Sequence, residues 1–506
     1  MYQPPSCRLG ILIIPAVLVV LLAPVSARAA DIDGAALAPA WGLPFAAMLL
    51  SIALMPLLAP AFWHAHFGKL AAGWAIAFVV PFAAVYGAAY AVHLIVHALL
   101  AEYLPFIALL AALYTVAGGI CLHGRLRGSP GLNVGLLALG GALASVTGTT
   151  GAAMLLIRPL LRANEGRPHV AHVVVFFIFI VANAGGSLTP LGDPPLFLGF
   201  LKGVGFFWTG RHLLLPMLLV CAGLLLLFFL IDGHVFRRDA TRGSDVGNRP
   251  RHESPGRESP GHESPGHESP GHESPGHESP ASKLHLDGKI NFLLLGCVIA
   301  LVLMSGVWRP GIVFDVLGTP LPLQDALRDA LLFVVLLVSL RVTPVSARRG
   351  NQFDWAPIIE VAKLFAGIFV TIAPVILILG AGSRGAFAPL LALVSDAQGR
   401  PIDAAYFWAT GLLSGFLDNA PTYLVFFNTA GGDAASLMTT GARTLGAISA
   451  GAVFMGALTY IGNAPNFMVK AIAEERGVAM PGFFGYMAWS VPILLPLFGL
   501  VTWLFF

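Results

Sequence analysis

The sequence predicts an all-α polytopic membrane protein built from two inverted structural repeats, each of five spans plus a re-entrant hairpin, with discontinuous helices. Three observations lead there. Of 506 residues, 57% are hydrophobic and 11% charged, against roughly a quarter charged in an ordinary soluble domain. Apolar runs of helix length recur along almost the whole chain, and about 20 apolar residues cross the ~30 Å hydrocarbon core as a helix. A polar motif rich in Gly and Pro then interrupts an apolar stretch twice. The runs lack the short alternating segments of an outer-membrane barrel, and a net charge of +3 is too small to point to nucleic acid.

In chain order, residues 1–30 read as a signal peptide or first apolar segment. Arg8 precedes the apolar stretch 11–25, and Ala27-Arg28-Ala29 follows it, the layout of a cleavable secretory signal. Either reading leaves Asp31 and Asp33 outside the cytoplasm. Residues 31–232 form the first repeat, with candidate spans at 43–62, 71–90, 104–122, 170–198 and 213–231. Residues 289–506 form the second, with spans at 289–308, 327–344, 357–380, 442–468 and 483–505. Before the fourth span of each set lies a stretch broken by Gly, Thr, Asn or Pro, at 133–157 and 404–427. Both read as re-entrant hairpins.

Between the repeats runs a low-complexity segment, 233–288. Glu-Ser-Pro begins at Glu253, Glu258, Glu263, Glu268, Glu273 and Glu278, and such a composition cannot pack a core, so the segment reads as a disordered linker. Its histidines (His252, His262, His267, His272, His277) read as part of an expanded neutral repeat rather than a metal site, because ordering a floppy chain around an ion costs entropy. Four scattered cysteines, Cys7, Cys121, Cys221 and Cys297, show neither pairing nor metal spacing.

Charge placement orients the chain. With residue 31 outside, the loops at 64–69, 123–127 and 158–167, the linker with Arg237, Arg238 and Arg242, and the turn with Arg348 and Arg349 fall in the cytoplasm. They hold most of the basic residues, as the positive-inside rule requires. Lys202, Arg211, Arg384 and Arg400 are exceptions. The loop after the first hairpin carries Arg158, Arg162 and Arg167, whereas 428–440 has no Lys or Arg. That contrast predicts opposite orientations for the two repeats.

The motif is the chemistry. Residues 186–198, Gly-Ser-Leu-Thr-Pro-Leu-Gly-Asp-Pro-Pro-Leu-Phe-Leu, align with 456–468, Gly-Ala-Leu-Thr-Tyr-Ile-Gly-Asn-Ala-Pro-Asn-Phe-Met, and six of the thirteen positions are identical. Gly and Pro within a span free backbone groups that hydrocarbon tolerates only where they line a cavity or bind something. Broken helices at the midplane in inverted repeats point to a transporter. The residues expected at the ion or substrate site are Thr149, Thr150, Thr189, Asp193, Asp418, Asn419, Thr422, Thr459, Asn463 and Asn466, whose oxygens suit Na⁺. Taken singly, Thr, Asn and Gly can equally serve close helix packing. A carboxylate at membrane depth is neutralised, paired or functional, which makes Asp193 and Asp418 the candidate carriers of a proton or cation. Glu360 and Lys363, one turn apart, form a candidate accessory ion pair. Arg158 is expected at a hairpin end rather than on substrate, and His93 and His97 at the interface.

Residues 183–195 resemble the first broken-helix signature of the antiporter and arsenite branches of the ion transporter superfamily. Ser414-Gly415-Phe416-Leu417-Asp418-Asn419-Ala420-Pro421-Thr422 resembles their second hairpin, and 360–369 is similar to a stretch typical of sodium/proton antiporters. The likeness covers residues 41–506 apart from the linker and is nearest to the citrate transporter or sodium:proton antiporter family of Gram-negative bacteria. Carboxylate carriers of that superfamily carry Ser-Asn-Thr at both hairpin tips. Here the first tip is Thr147-Gly148-Thr149-Thr150 and the second holds Asp418. The resemblance therefore implies a multi-pass inner-membrane secondary transporter with a cytoplasmic linker. A sodium:proton antiporter is favoured, and a proton- or sodium-coupled citrate or carboxylate symporter is the alternative. Expected partners are membrane lipid and a small ion or carboxylate. No cofactor is expected beyond Na⁺ and H⁺ as coupling ions, and no metal beyond a Na⁺ site. No nucleophile–base pairing or phosphate loop suggests an enzyme. The oligomeric state, a homodimer included, stays open.

Overall fold

The computed structural model describes residues 32–124, 126–247 and 285–506. The signal segment at 1–30 and the Glu-Ser-Pro repeats with their histidines lie outside the described residues. Among those described, nine helices are long and apolar enough to cross a membrane. The first three are Pro39–Leu58, Pro60–Tyr86 and Ala88–Ala117; then come Pro130–Thr147, Ala171–Leu188 and Trp208–Asp239. Ile290–Val307, Ala356–Gly380 and Phe483–Phe505 complete the set. The chain is an all-α polytopic membrane protein whose only described strands are two short antiparallel pairs, Cys121–His123 with His285–Asp287 and Val313–Val316 with Thr319–Pro322.

Several boundaries differ from those expected. Residues 64–69 are not a loop, because the helix Pro60–Tyr86 starts at Pro60 and carries them in its first turns. Proline lacks an N–H and has φ already set for a helix start, so the chain turns at Ala59. The next break falls at Gly87, whose φ of 98° suits glycine. The third helix begins at Ala88 and passes through a π-helical turn at Ala98–Tyr103 before its last segment, Leu104–Ala117. His93 and His97 thus lie well upstream of Leu104, with His93 Nδ1 3.2 Å from the Leu317 carbonyl. Leu323–Val342 forms as a helix but carries Asp325, Arg328 and Asp329. The segment assigned to the linker is ordered at both ends: the helix from Trp208 continues to Gly247, and His285–Asp287 pairs with Cys121–His123.

Both regions expected as hairpins are pairs of helices joined at a break. The first hairpin has arms Pro130–Thr147 and Thr149–Ala163, the second Asp403–Phe416 and Asn419–Thr429. The first broken span runs through Ala171–Ile180, a 3₁₀ turn Ala184–Leu188 and Pro194–Leu201. Its counterpart runs through Ala442–Phe454, Met455–Leu458 and Ala464–Glu475. These elements form the centre, and every side chain from 173 to 182 is buried.

Lipid is as apolar as leucine, so helices in a membrane are held by close packing and polar bonds rather than by the hydrophobic effect. Small residues provide the packing. A Cβ at Gly185 would meet the Gly141 backbone at 2.5 Å, and one at Gly451 the Phe407 carbonyl oxygen at 2.5 Å. Buried amides provide the bonds. Asn291 donates to the Gly119 carbonyl at 3.1 Å and to Thr343 Oγ1 at 2.9 Å, and accepts from Ser339. Asp232, wholly buried, accepts from Arg167 at 2.5 Å and Asn133 at 3.0 Å, with His172 Nε2 at 2.9 Å. It ties the helix from Trp208 to the first hairpin and the first broken span. Removing one partner of a buried pair costs about 3–5 kcal/mol. Asp232→Asn should therefore lower the thermal unfolding temperature in detergent markedly, whereas Arg400→Gln, on the exposed Asp396 pair, should not; equal losses would contradict this ordering.

Candidate functional site

Four helices begin at the centre of the molecule. Gly148 precedes Thr149–Ala163, Asp193 precedes Pro194–Leu201, Asp418 precedes Asn419–Thr429, and Asn463 precedes Ala464–Glu475. These four N-cap residues line one cavity of about 80 Å³, enough for a few waters or a hydrated ion. Each N-terminus carries about half a positive charge. Together they compensate only part of the charge of ionised Asp193 and Asp418, which repel each other across the site.

Asp193 caps no amide of its own helix. Its two oxygens instead accept from the two hairpin tips: Oδ1 from Thr149 Oγ1 at 3.2 Å and Oδ2 from Asn419 Nδ2 at 2.8 Å. One carboxylate thus joins both hairpins to the first broken span, and all three residues are 1% exposed. The first tip is held further by the Thr149 amide, which donates to the Gly192 carbonyl at 2.8 Å. Asp418 is half-buried and accepts from the Ala420 amide at 3.0 Å. Among the described residues, no Lys, Arg or His lines the cavity wall. A second cavity of about 340 Å³ shares Asp418 and Asn463 and is lined by His64, Glu360 and Glu475, which gives the centre an acidic approach.

The expected site residues divide by where their polar atoms go. Thr149, Thr150, Asp193, Asp418, Asn419 and Asn463 line the central cavity. Thr189, Thr422, Thr459 and Asn466 do not; each donates from its side chain to main-chain carbonyls. Thr189 Oγ1 donates to the Ser145 carbonyl and Thr459 Oγ1 to the Gly415 carbonyl, each across 44 residues. Each hydroxyl then accepts from the amide two residues on. Thr422 donates to the Asp418 carbonyl, and Asn466 to the carbonyls of Gly456 and Thr459. Glu360 and Lys363 make no ion pair. The Lys363 ammonium lies 5.4 Å from the Phe67 ring centroid, and the Glu360 carboxyl faces Trp63 and His64. Arg158 bonds Gln352 and is absent from both cavity walls.

Sequence reasoning missed Asn183 as a site residue. Its Nδ2 donates to Asn466 Oδ1 at 2.8 Å and its Oδ1 accepts from Asn463 Nδ2 at 2.8 Å, which laces the two broken spans together. An amide following ten buried apolar residues needs partners, and that signal was available.

Residues 34–506 match a family model described as "Putative citrate transport". No curated protein matches the chain.

The breaks depend on backbone contact at glycine. A Cβ at Gly192 would lie 2.0 Å from the Gly186 carbonyl oxygen, and one at Gly462 2.3 Å from that of Gly456. Gly192→Ala and Gly462→Ala should each destabilise by about 1–3 kcal/mol through overpacking. Gly135→Ala, inside the helix Pro130–Thr147 where a Cβ meets nothing within 4 Å, should stabilise by about 0.5–1 kcal/mol. Thermal unfolding of the three variants in detergent checks the order.

Proposed function

The chain belongs to the citrate-transport family whose model it matches, and from its central site we propose that this multi-pass membrane transporter is an ion-coupled secondary carrier, a sodium:proton antiporter of the bacterial inner membrane. The supporting observation is a pair of carboxyl groups, Asp193 and Asp418, on a small cavity whose wall holds no basic side chain among the described residues. Two ionised carboxylates at membrane depth require neutralisation, and a proton or a Na⁺ supplies it. Thr149, Thr150, Asn419 and Asn463 offer the further oxygens of a Na⁺ site. Thr189, Thr422, Thr459 and Asn466 keep the broken backbone in place behind it.

In this reading 31–232 and 289–506 are inverted repeats joined by a cytoplasmic linker, and the hairpin-bearing units move against the remaining helices. Exchange is obligatory because Asp193 and Asp418 cannot both stay charged and empty during that movement. The cavity containing His64, Glu360 and Glu475 is the route by which ions reach Asp418 from one face.

A second reading is supported by the family description and by the four helix N-termini. Once protons or Na⁺ neutralise the two aspartates, the N-termini present an uncompensated positive field that suits a carboxylate. That reading is a proton- or sodium-coupled citrate or carboxylate symporter.

Liposomes loaded with a pH-sensitive dye distinguish them. The antiporter reading expects a Na⁺ gradient to move protons in the wild type and not in Asp193→Asn or Asp418→Asn. Thr149→Val, which removes one bond to Asp193, should weaken apparent Na⁺ affinity by roughly tenfold, the worth of a hydrogen bond to a charged group. Labelled citrate uptake without any Na⁺-driven proton movement would sink the antiporter and leave the symporter.

A further inference from the structure

A cavity of about 720 Å³ lies away from the centre and shares no lining residue with it. Ile290–Val307 begins beside the His285–Asp287 strand and ends at this cavity, so the two lie at opposite ends of that helix. Arg211, Arg309 and Arg328 line it, together with His212, and among the described residues Asp325 is the only acid on its wall. Arg328 is 1% exposed. Its Nε meets Asp329 at 2.7 Å and its Nη1 meets Asp325 at 2.8 Å, while its Nη2 is buried without a hydrogen-bond partner among the described residues. Arg211 and Arg309 are exposed and make no ion pair among the described residues.

We propose that this cavity is a binding site for a small multivalent anion bearing carboxylate or phosphate groups. The two free guanidinium groups present planar donor forks that match such oxygens two at a time. The orphaned Nη2 of Arg328 is a buried donor, and leaving one unmade is costly. Asp325 and Asp329 are already engaged by Arg328, so the charges of Arg211 and Arg309 stay available. The volume exceeds that of the central cavity many-fold and admits a polyatomic anion. Arg211 belongs to the helix that follows the first broken span, whereas Arg328 belongs to Leu323–Val342. A bound anion therefore ties the site-bearing region to a helix outside it.

Calorimetric titration of citrate, and separately of inorganic phosphate, into the full-length protein in phosphatidylcholine nanodiscs tests the site. At least one probe should bind, and the double substitution Arg211→Gln with Arg309→Gln, both at exposed positions, should weaken it at least tenfold. Asp418→Asn should leave that binding in place, which separates this cavity from the central one. Repeating the titration with phosphatidylglycerol in the nanodisc identifies the source of the anion. Competition that disappears in the double variant assigns the cavity to a lipid headgroup, and its absence assigns it to a soluble anion. If neither the soluble probes nor phosphatidylglycerol respond to loss of the two arginines, or if Asp418→Asn alone abolishes citrate binding, the proposal is overturned.

Discussion

The architecture depends on the cost of a backbone amide or carbonyl without a partner in hydrocarbon, several kcal/mol for each group. Two spans and two hairpins are interrupted where water is scarce, and each interruption releases such groups. The fold meets the demand twice in the same way. A threonine on each broken span, Thr189 or Thr459, donates to a carbonyl near the tip of its hairpin and accepts from the amide two residues on. Serines add a second stitch: Ser145 donates to the Gly185 carbonyl and Ser414 to that of Ala452. The glycine pairs Gly186–Gly192 and Gly456–Gly462 then bring backbones closer than any Cβ allows. Only after these bonds are made are oxygens left over to face a solute.

That constraint explains why the interruptions were legible in the sequence and some span boundaries were not. A break in hydrocarbon requires Gly, Pro and small polar residues within a few positions, a composition that stands out against Leu, Val and Phe. An ordinary turn between apolar helices needs far less. The main polar contrast within 43–86, His64 to Lys69, falls inside a helix and so misplaces the turn; Pro60 marks the turn at Ala59, and Gly87 marks the next. The three charges at the start of Leu323–Val342 are tolerated there because Asp325 and Asp329 both engage Arg328. Sequence spacing put Glu360 and Lys363 within reach of each other. Tertiary neighbours outcompeted that pairing, since an aromatic ring takes the ammonium and an indole and imidazole face the carboxyl.

The site was legible to a similar depth. Polar residues near the breaks were identifiable as a set, because each is expensive at that depth without a task. Their separate tasks were not, because backbone support and cavity lining both select Thr and Asn. Thr149, at a hairpin tip, and Thr189, on a broken span, are the same residue type beside neighbouring breaks, yet one hydroxyl faces Asp193 and the other a main-chain carbonyl. The difference lies in a pairing across 44 residues that no local pattern reports. Asn183 escaped notice for a related reason, since its partners, Asn463 and Asn466, lie in the other half of the chain.

The local repeat is not chemically symmetric, and the asymmetry bears on function. Where the first broken span has Asp193, the second has Asn463; where the second hairpin tip has Asp418, the first has Gly148. The two acids therefore occupy non-equivalent positions, one bonded to both hairpin tips and the other capping its own short helix. A symmetric pair would give two like sites. This arrangement gives one cavity with two unlike carboxyl groups, whose neutralisation states need not change together. Asp193, by bonding Thr149 and Asn419 at once, makes the positions of both tips sensitive to its charge, because a protonated carboxyl accepts less strongly than an ionised one. The proposed coupling follows from that linkage: a proton or cation at the centre alters the bonds that hold the two hairpins to the first broken span, the elements that would have to move together for the site to change sides.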